Sequence, residues 1–139
     1  RIFPRTPGEA SPPTEPFRTM WRRNDIPAWR RCEDLAAAYL RRQGYIILAR
    51  NARFGHCEID IIAREGDTVA FVEVRSRMTE DTVAPEDSIG PQKQRRLRAA
   101  ASMYLARHEE SDTYYRFDVV AVTMPPNQKP VITLYRDAF

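Results

Sequence analysis

The chain has 139 residues, which is the size of one domain, and it contains 42% hydrophobic and 29% charged residues, as soluble globular proteins do. No apolar run approaches the roughly 18 residues of a membrane span and no signal-peptide pattern opens the chain, so we expect a cytoplasmic protein with no membrane partner. The two cysteines, Cys32 and Cys57, exclude a disulfide framework and lack the paired spacing of a zinc site. We predict free thiols, and the alternative is a zinc site completed by His56.

The net charge of +3 conceals a strong segregation of charge along the chain. Residues 1–53 hold eleven arginines against five acids, whereas residues 54–90 hold three arginines against nine acids. A metal site on a polyanion-binding protein requires such a pattern, because arginines attract phosphate and carboxylates attract cations. The distribution of charge therefore favours nucleic acid as a partner.

Residues 1–27 contain six of the eleven prolines and show no hydrophobic period. This composition indicates a flexible arm, which serves either as a solubilising extension or as a basic contact to nucleic acid. We therefore predict two parts, which are a proline-rich arm over residues 1–27 and one folded domain over residues 28–139.

The first helix is predicted from Pro27 to Gln43, with Gly44 as its stop. Glu33 falls inside the apolar face of this helix, and burying an unpaired charge is expensive. Either Arg30, one turn earlier, neutralises Glu33, or the carboxylate reaches a polar site. The apolar face is predicted to form a buried stripe of Trp29, Cys32, Ala36 and Leu40.

Two Ile- and Val-rich runs that flank Gly66 and Asp67 predict a β-hairpin over residues 57–77. A two-residue turn that opens with Gly is a favoured hairpin connection because Gly tolerates positive φ. In the register that this turn sets, Glu65 faces Thr68. The inward face of the hairpin is predicted to hold Ile59, Ile61, Ala70, Val72 and Val74.

Counting outward from the turn places Asp60 opposite Glu73. The same count places Glu58 opposite Arg75, on the same side of the sheet. Directly opposite residues have Cβ atoms about 4.5–5.5 Å apart, where like charges repel, so the two acids need a cation. Mg²⁺ is commonly held by one or two carboxylates together with water and substrate phosphate. The alternative is a solvated polar face whose acids pair with arginines.

A second helix is predicted from Pro91 to Arg107. Lys93 lies at the centre of its core stripe, so its ammonium group either points inward at the start of the helix or extends to solvent. Arg95 and Arg98 lie on other faces and suit either backbone phosphate contacts or solvation. The core stripe consists of Leu97, Ala100, Ala101 and Tyr104.

Three further strands complete the predicted elements. The apolar run from Tyr45 to Ala49 predicts a buried strand, the alternating run from Tyr114 to Thr123 a second, and the run from Val131 to Tyr135 a last one. Residues 78–90 are polar and predict a surface loop, and Phe139 is expected to dock on the core. The order αβββαββ predicts an α/β domain with a mixed β-sheet flanked by helices.

Asp60, Glu73 and Arg75 have the order and spacing that resemble the PD-(D/E)XK motif of restriction-endonuclease-like nucleases. More narrowly, residues 29–139 resemble the YraN-like family, a group of small bacterial proteins related to archaeal Holliday-junction resolvases. The motifs that carry this resemblance are Glu33 before an Ala-rich helix, Gly44-Tyr45, Asn51 with Arg53, Glu-Ile-Asp-Ile-Ile-Ala, Phe-Val-Glu-Val-Arg, Lys93 and Arg-Phe-Asp-Val-Val-Ala-Val.

The resemblance implies a restriction-endonuclease-like core and a Mg²⁺- or Mn²⁺-dependent endonuclease that acts on DNA, including branched DNA, as a homodimer. It implies that Asp60, Glu73 and Glu33 are metal ligands and that Glu58 supports these ligands without binding the metal itself. Arg75 stands where the superfamily usually carries Lys, and an arginine stays protonated and cannot accept a proton from water. The remaining predicted site residues are Lys93, which assists at the phosphate, and Arg53, Arg77, Arg95 and Arg98, which contact nucleic acid.

The rival hypothesis is a module that keeps the same fold and binds nucleic acid or a protein without catalysis. The presence of both Asp60 and Glu73 argues against it, because a binding module gains nothing from carboxylates that face phosphate. A third hypothesis is an adaptor that binds a recombination or repair partner through its arm.

Overall fold

The computed structural model describes residues 26–77, 89–108 and 112–139. Two helices and five strands follow one another in the predicted order. The predicted arm, apart from its last two residues, and most of the predicted loop over residues 78–90 lie outside the described residues. The elements are α1 (Ala28–Arg42), β1 (Ile46–Phe54), β2 (Cys57–Glu65), β3 (Thr68–Arg77), α2 (Pro91–Arg107), β4 (Tyr114–Thr123) and β5 (Val131–Tyr135).

All five strands form one sheet, in which the strand order β1-β2-β3-β4-β5 repeats the order of the chain. Neighbouring strands run antiparallel except β3 and β4, which are parallel. A parallel pair needs a long crossover connection, and α2 lies within it. The mixed sheet with its two helices confirms the predicted α/β fold class.

The sheet has one apolar cluster on each face, because residues one apart on a strand point to opposite sides. The α1 cluster consists of Cys32, Ala36, Ala37, Leu40, Tyr45, Ile61, Ala63, Ala70, Val72, Val120 and Val122. The α2 cluster consists of Phe54, Ile59, Ile62, Val69, Phe71, Ile89, Leu97, Ala100, Ala101, Tyr104, Phe117 and Val119. The four predicted core residues of the second helix all belong to the latter.

The hairpin register is as predicted at its turn. Glu65 faces Thr68, and the pairing continues inward as far as Ile61 opposite Val72. Gly66 has a φ of 60°, which an L side chain rarely adopts, and this explains why Gly stands at the turn.

The prediction that Ile59 shares a face with Ile61 is wrong. Ile61 packs in the α1 cluster, whereas Ile59 packs in the α2 cluster beside Ile62. The strict alternation of β2 is therefore interrupted at Asp60, the residue between them. This interruption affects the geometry of the acidic pair described below.

Two further burial predictions are wrong. The run from Tyr45 to Ala49 is not a buried strand, since β1 lies at an edge of the sheet with Ile46 64% and Leu48 39% exposed. Trp29 is 52% exposed and does not join the stripe of α1, because the first turn of the helix borders a cleft instead of the sheet. The rest of the predicted stripe, Cys32, Ala36 and Leu40, is buried as predicted.

A polar network centred on Asp118 lies beside the α1 cluster. Asp118 is fully buried, and its carboxylate accepts hydrogen bonds from the Tyr45 hydroxyl at 3.1 Å and from the Arg116 guanidinium at 2.9 Å. The backbone N–H of Asp137 donates a further bond to it at 3.0 Å. Glu65 joins the network through an ion pair with Arg116 at 2.7 Å. The network thereby ties the C-terminal segment to the hairpin.

The end of the chain packs as predicted. The Phe139 ring stacks on the Phe117 ring, with 5.0 Å between their centroids, and thus extends the α2 cluster. Neither helix in the described ranges has the length and apolarity that crossing a membrane requires.

Candidate active site

A small cleft of about 170 Å³ opens where the first turns of α1 meet the middle of the hairpin. Three of the predicted site residues, Glu33, Asp60 and Glu73, line it together. They come from three different elements, α1, β2 and β3. The other lining residues are Trp29, Cys32, Val74 and Ser76, none of which was predicted as part of the site.

Asp60 reaches the cleft because the ladder between β2 and β3 ends just before it. The last backbone pair is Ile61 with Val72, and the next donor, the N–H of Val74, bonds the Asp60 side chain at 2.8 Å. On the other side of β2, Asn51 has a positive φ of 51° at the position that would face Asp60. The Asp60 carboxylate thus accepts a hydrogen bond that a backbone carbonyl group of β2 would otherwise accept. The predicted direct pairing of Asp60 with Glu73 is wrong, although both side chains line the same cleft.

The ionised form of Asp60 is disfavoured in this setting. Burial, followed by the negative charge of Glu73, raises the pKa of Asp60 from 3.8 to about 7. The Val74 N–H and the charge of Lys93 act in the opposite direction but do not cancel the effect. An acid held in this way gains from a cation close by.

Glu73 is buried, with 6% of its surface exposed, and two basic side chains approach it. The Lys93 ammonium, at the start of α2, donates a hydrogen bond to Glu73 Oε1. The Arg75 Nε lies 3.7 Å from the same oxygen, which is an ion-pair distance, and this buried N–H has no hydrogen-bond acceptor among the described residues. Lys93 therefore points inward, as its place in the helical stripe indicates, and its ammonium group contacts Glu73 of the acid pair.

Glu33 reaches the polar cleft and is not neutralised by Arg30. The Asn51 amide, oriented with its nitrogen toward the acids, donates to Glu33 at 3.1 Å and to Glu58 at 3.0 Å. Burial is the largest influence on Glu33 and raises the pKa of its carboxyl group, while the Asn51 hydrogen bond lowers it. The Arg30 guanidinium instead lies 5.2 Å from the centre of the Trp29 ring.

The predicted pairing of Glu58 with Arg75 is wrong. Glu58 faces Arg53 of β1 and forms an ion pair with it at 3.3 Å, because the ladder between β2 and β3 has ended before this position. Glu58 still touches the site through its shared bond with Asn51. Asn51 belongs to the motifs that carry the family resemblance, and its positive φ of 51° is a feature that the sequence alone does not reveal.

The four predicted nucleic-acid contacts do not line the cleft. Arg53 is highly exposed and pairs with Glu58 near its rim. Arg98 lies over the Phe117 ring, 5.0 Å from its centre, and so packs on the α2 cluster. Arg95 is exposed on α2, and Arg77 ends β3. That these four arginines contact DNA remains a prediction.

A divalent cation fits the chemistry of two of these residues. Within residues 26–77, 89–108 and 112–139, no three His, Cys, Asp or Glu side chains are arranged to hold an ion by themselves. Mg²⁺ is usually bound by one or two carboxylates plus water and substrate phosphates, and Asp60 and Glu73 supply such oxygens at one cleft. The raised pKa of Asp60 marks negative charge that the protein's own groups leave poorly compensated. These carboxylate oxygens therefore suit a hard cation that is bound together with a substrate phosphate.

The contribution of Lys93 to the acid pair can be measured directly. Lys93→Met removes a charge that lowers the pKa of Asp60, so we expect that pKa to rise further above its value of about 7. The test is a pH titration of the Asp60 carboxyl carbon by NMR in metal-free protein. Lys129→Met is the matched control, because Lys129 is exposed and is the only other lysine. An Asp60 pKa that is equal in both variants would show that Lys93 does not interact with the pair.

The comparisons with known proteins agree on one family. Residues 32–122 match the family described as "Uncharacterised protein family UPF0102". A UPF0102 protein of Syntrophus aciditrophicus is 46% identical over 107 residues, which cover 77% of this chain and 84% of the relative. UPF0102 proteins of Geobacter sulfurreducens and of Anaeromyxobacter sp. are each 44% identical, over 78% and 79% of this chain and 85% and 82% of the relatives. The chain therefore belongs to the UPF0102 family, the group of bacterial proteins that its motifs resemble.

Proposed function

We propose that this protein is a metal-dependent endonuclease that hydrolyses phosphodiester bonds of DNA at the cleft between α1 and the hairpin. The observation that carries the proposal is the placement of Asp60 and Glu73 in one cleft, where the ionised form of Asp60 is strongly disfavoured without a cation. Perturbed carboxylates in a cleft are a recurring property of catalytic sites. We further propose that the protein belongs to the restriction-endonuclease-like superfamily and that it is located in the cytoplasm.

In this proposal Asp60 and Glu73 hold Mg²⁺ or Mn²⁺, and Glu33 supports the ion from α1. When bound, the ion would supply a nucleophilic water at neutral pH and stabilise the negative charge that develops on the phosphoryl oxygens. Lys93 and Arg75 both lie at Glu73, so their positive charges border the place of the phosphate and stabilise the same developing charge. Arg75 binds and orients phosphate oxygens and does not accept a proton.

The substrate in this proposal is DNA, including branched recombination intermediates, and the active form is a homodimer. The branched substrate and the homodimer are both expected from the resemblance to the YraN-like family and, through it, to Holliday-junction resolvases. The proposed contacts to DNA outside the cleft are Arg53, Arg77, Arg95 and Arg98. Contacts of this kind fix position and orientation on the backbone without reading sequence.

One observation favours the rival function, a binding module without catalysis. Lys93 forms an ion pair with Glu73, and Arg75 stands in place of the usual Lys. A site that has lost its need for a metal would show such an internal ion pair. The two functions differ in what the acid pair does when a divalent cation is added.

The deciding experiment is a panel of labelled DNAs, consisting of single strands, duplexes, flaps and four-way junctions, incubated with Mg²⁺ or Mn²⁺. We expect cleavage of at least one of them and a rise in melting temperature on addition of the cation. Glu73→Gln should remove both effects and leave DNA binding in place, whereas Asp67→Asn, in the exposed hairpin turn, should change neither. If no DNA is cut and the melting temperature ignores the cation, the protein is a binding module.

A further inference from the structure

Trp29 is the one large apolar side chain at the rim of the cleft that solvent reaches. Seven large hydrophobic residues are substantially exposed among the described residues, and Trp29 alone of these lines the cleft. Half of its surface, 52%, is accessible, although the helical period of α1 would allow it to be buried. Its position beside the acids places an exposed aromatic ring within reach of a ligand that enters the cleft.

The size of the cleft limits what enters it. Pockets that enclose a whole drug-sized ligand measure about 300–1,000 Å³, and this cleft measures about 170 Å³. A phosphate group suits this small cleft, which is open to solvent, so the sugar and base of the same nucleotide can extend past the rim. The base next to a phosphate bound at Asp60 and Glu73 therefore remains outside, where the indole of Trp29 forms part of the rim.

The charges around the indole suit a nucleotide. The Arg30 guanidinium lies over one face of the Trp29 ring, 5.2 Å from its centre, so a base would stack on the opposite face, with the cation close by. Aromatic rings combined with positive charge along the backbone path are the usual means by which proteins bind unpaired nucleotides. The rim thus offers a stacking surface and a phosphate contact side by side.

We propose that Trp29 stacks on an unpaired nucleobase adjacent to the phosphate held in the cleft, so that the preferred substrate carries at least one unpaired nucleotide at the site of cleavage. This inference rests on the proposed nuclease function and adds the substrate class. A paired base within a duplex has both faces covered by its neighbours and cannot offer one to the indole. Single strands, flaps and branch points offer such a face, and an uninterrupted duplex does so only after unstacking.

Fluorescence tests the contact without any need for cleavage. The chain has two tryptophans, so Trp21→Phe leaves Trp29 as the only indole reporter. In EDTA, a short oligothymidylate should quench the emission of Trp29, because stacking on a base quenches indole. An abasic oligonucleotide of equal length and charge should bind without comparable quenching. Equal quenching by both oligonucleotides, or by neither, would overturn the inference.

Cleavage and affinity supply the second readout. Trp29→Ala should weaken binding of the unpaired substrate by about 5-fold to about 100-fold, the range for removal of one aromatic stacking contact. Trp29→Phe should restore most of it, and neither change should affect an intact duplex to the same degree. Tyr114→Ala is the matched control, since Tyr114 is an aromatic residue that is 70% exposed and does not line the cleft.

The two proposals fail in different ways. Cleavage that needs Glu73 but proceeds equally on duplex and unpaired DNA, with Trp29→Ala like the wild type, would overturn the stacking contact and keep the nuclease. Base-dependent quenching of Trp29 without cleavage of any DNA would overturn the nuclease and keep the stacking contact.

Discussion

Asp60→Asn is expected to stabilise the metal-free protein at about pH 8 and, at the same time, to abolish metal-dependent cleavage. Burial and the neighbouring Glu73 raise the pKa of Asp60 from 3.8 to about 7, so ionised Asp60 costs the folded state on the order of 4 kcal/mol. An asparagine carries no charge, and its carbonyl oxygen can still accept the N–H of Val74. The measurement is the free energy of unfolding in urea, with EDTA present.

The pH dependence of this difference follows from the sign of the shift. The unfolded chain ionises Asp60 near pH 3.8, and the folded chain does so only near pH 7. The contribution of Asp60 to stability is therefore intact below about pH 4 and is lost as the pH rises to about 7. The wild type and Asp60→Asn should be about equally stable at pH 4 and should diverge between pH 4 and pH 7. Asp67→Asn, at an exposed turn, should show no such divergence.

Addition of Mg²⁺ or Mn²⁺ should reverse the order of stability at pH 8. An ion that binds only the folded wild type stabilises it by mass action, and the variant lacks one of the two proposed ligands. Cleavage by Asp60→Asn should fall to the background of the assay. A metal-free variant that is less stable than the wild type at pH 8 would contradict the buried-charge account of Asp60.

Asp118→Ala is expected to destabilise the protein by about 3–5 kcal/mol, a large part of the stability of a domain this size. The change leaves the largely buried Arg116 without its carboxylate partner, and it removes the acceptor of the Tyr45 hydroxyl and of the Asp137 N–H. Urea unfolding at neutral pH measures the loss. Arg116 keeps a second partner in Glu65, which limits the loss to that range.

Two variants separate the charge from the geometry of this network. Asp118→Asn keeps an acceptor oxygen and removes the charge, so its cost should be smaller, about 1–3 kcal/mol. Asp34→Ala breaks the ion pair between Asp34 and Arg50. The Asp34 side chain is 50% exposed, so the change should lower the free energy of unfolding by at most about 1 kcal/mol. A loss of less than 1 kcal/mol for Asp118→Ala would show that the network contributes little to folding.

Local sequence signals were sufficient for the elements and their order. The second helix and the last two strands have the predicted bounds, because Pro91 and the apolar runs from Tyr114 and Val131 mark them sharply. The hairpin register was predictable from Gly66, since one turn fixes the pairing of every residue near it. The first helix ends just before Gly44, which has a φ of 95°.

The details of the site depend on contacts between elements, which no local pattern contains. Counting by two along β2 assumes an unbroken ladder, and the ladder ends at Ile61 because the Asp60 carboxylate takes the N–H of Val74. The exposure of Trp29 was missed because a helical wheel shows which side faces inward but not where the sheet ends. The partner of Lys93 could not be predicted for a similar reason, since it is the crossover connection between β3 and β4 that brings the Lys93 ammonium group to Glu73.

The parallel pairing of β3 with β4 also bears on the route by which the chain folds. The pairs β1 with β2, β2 with β3 and β4 with β5 each close a short loop, whereas β3 and β4 enclose residues 78–113. Closing the long loop costs more chain entropy, so we expect the N-terminal meander to form early and docking of α2 to set the folding rate. Asp60 and Glu73 both lie in this early meander, where their carboxylates repel each other until docking of α2 brings Lys93 to Glu73. The ion pair is then a late gain that slows unfolding more than it speeds folding.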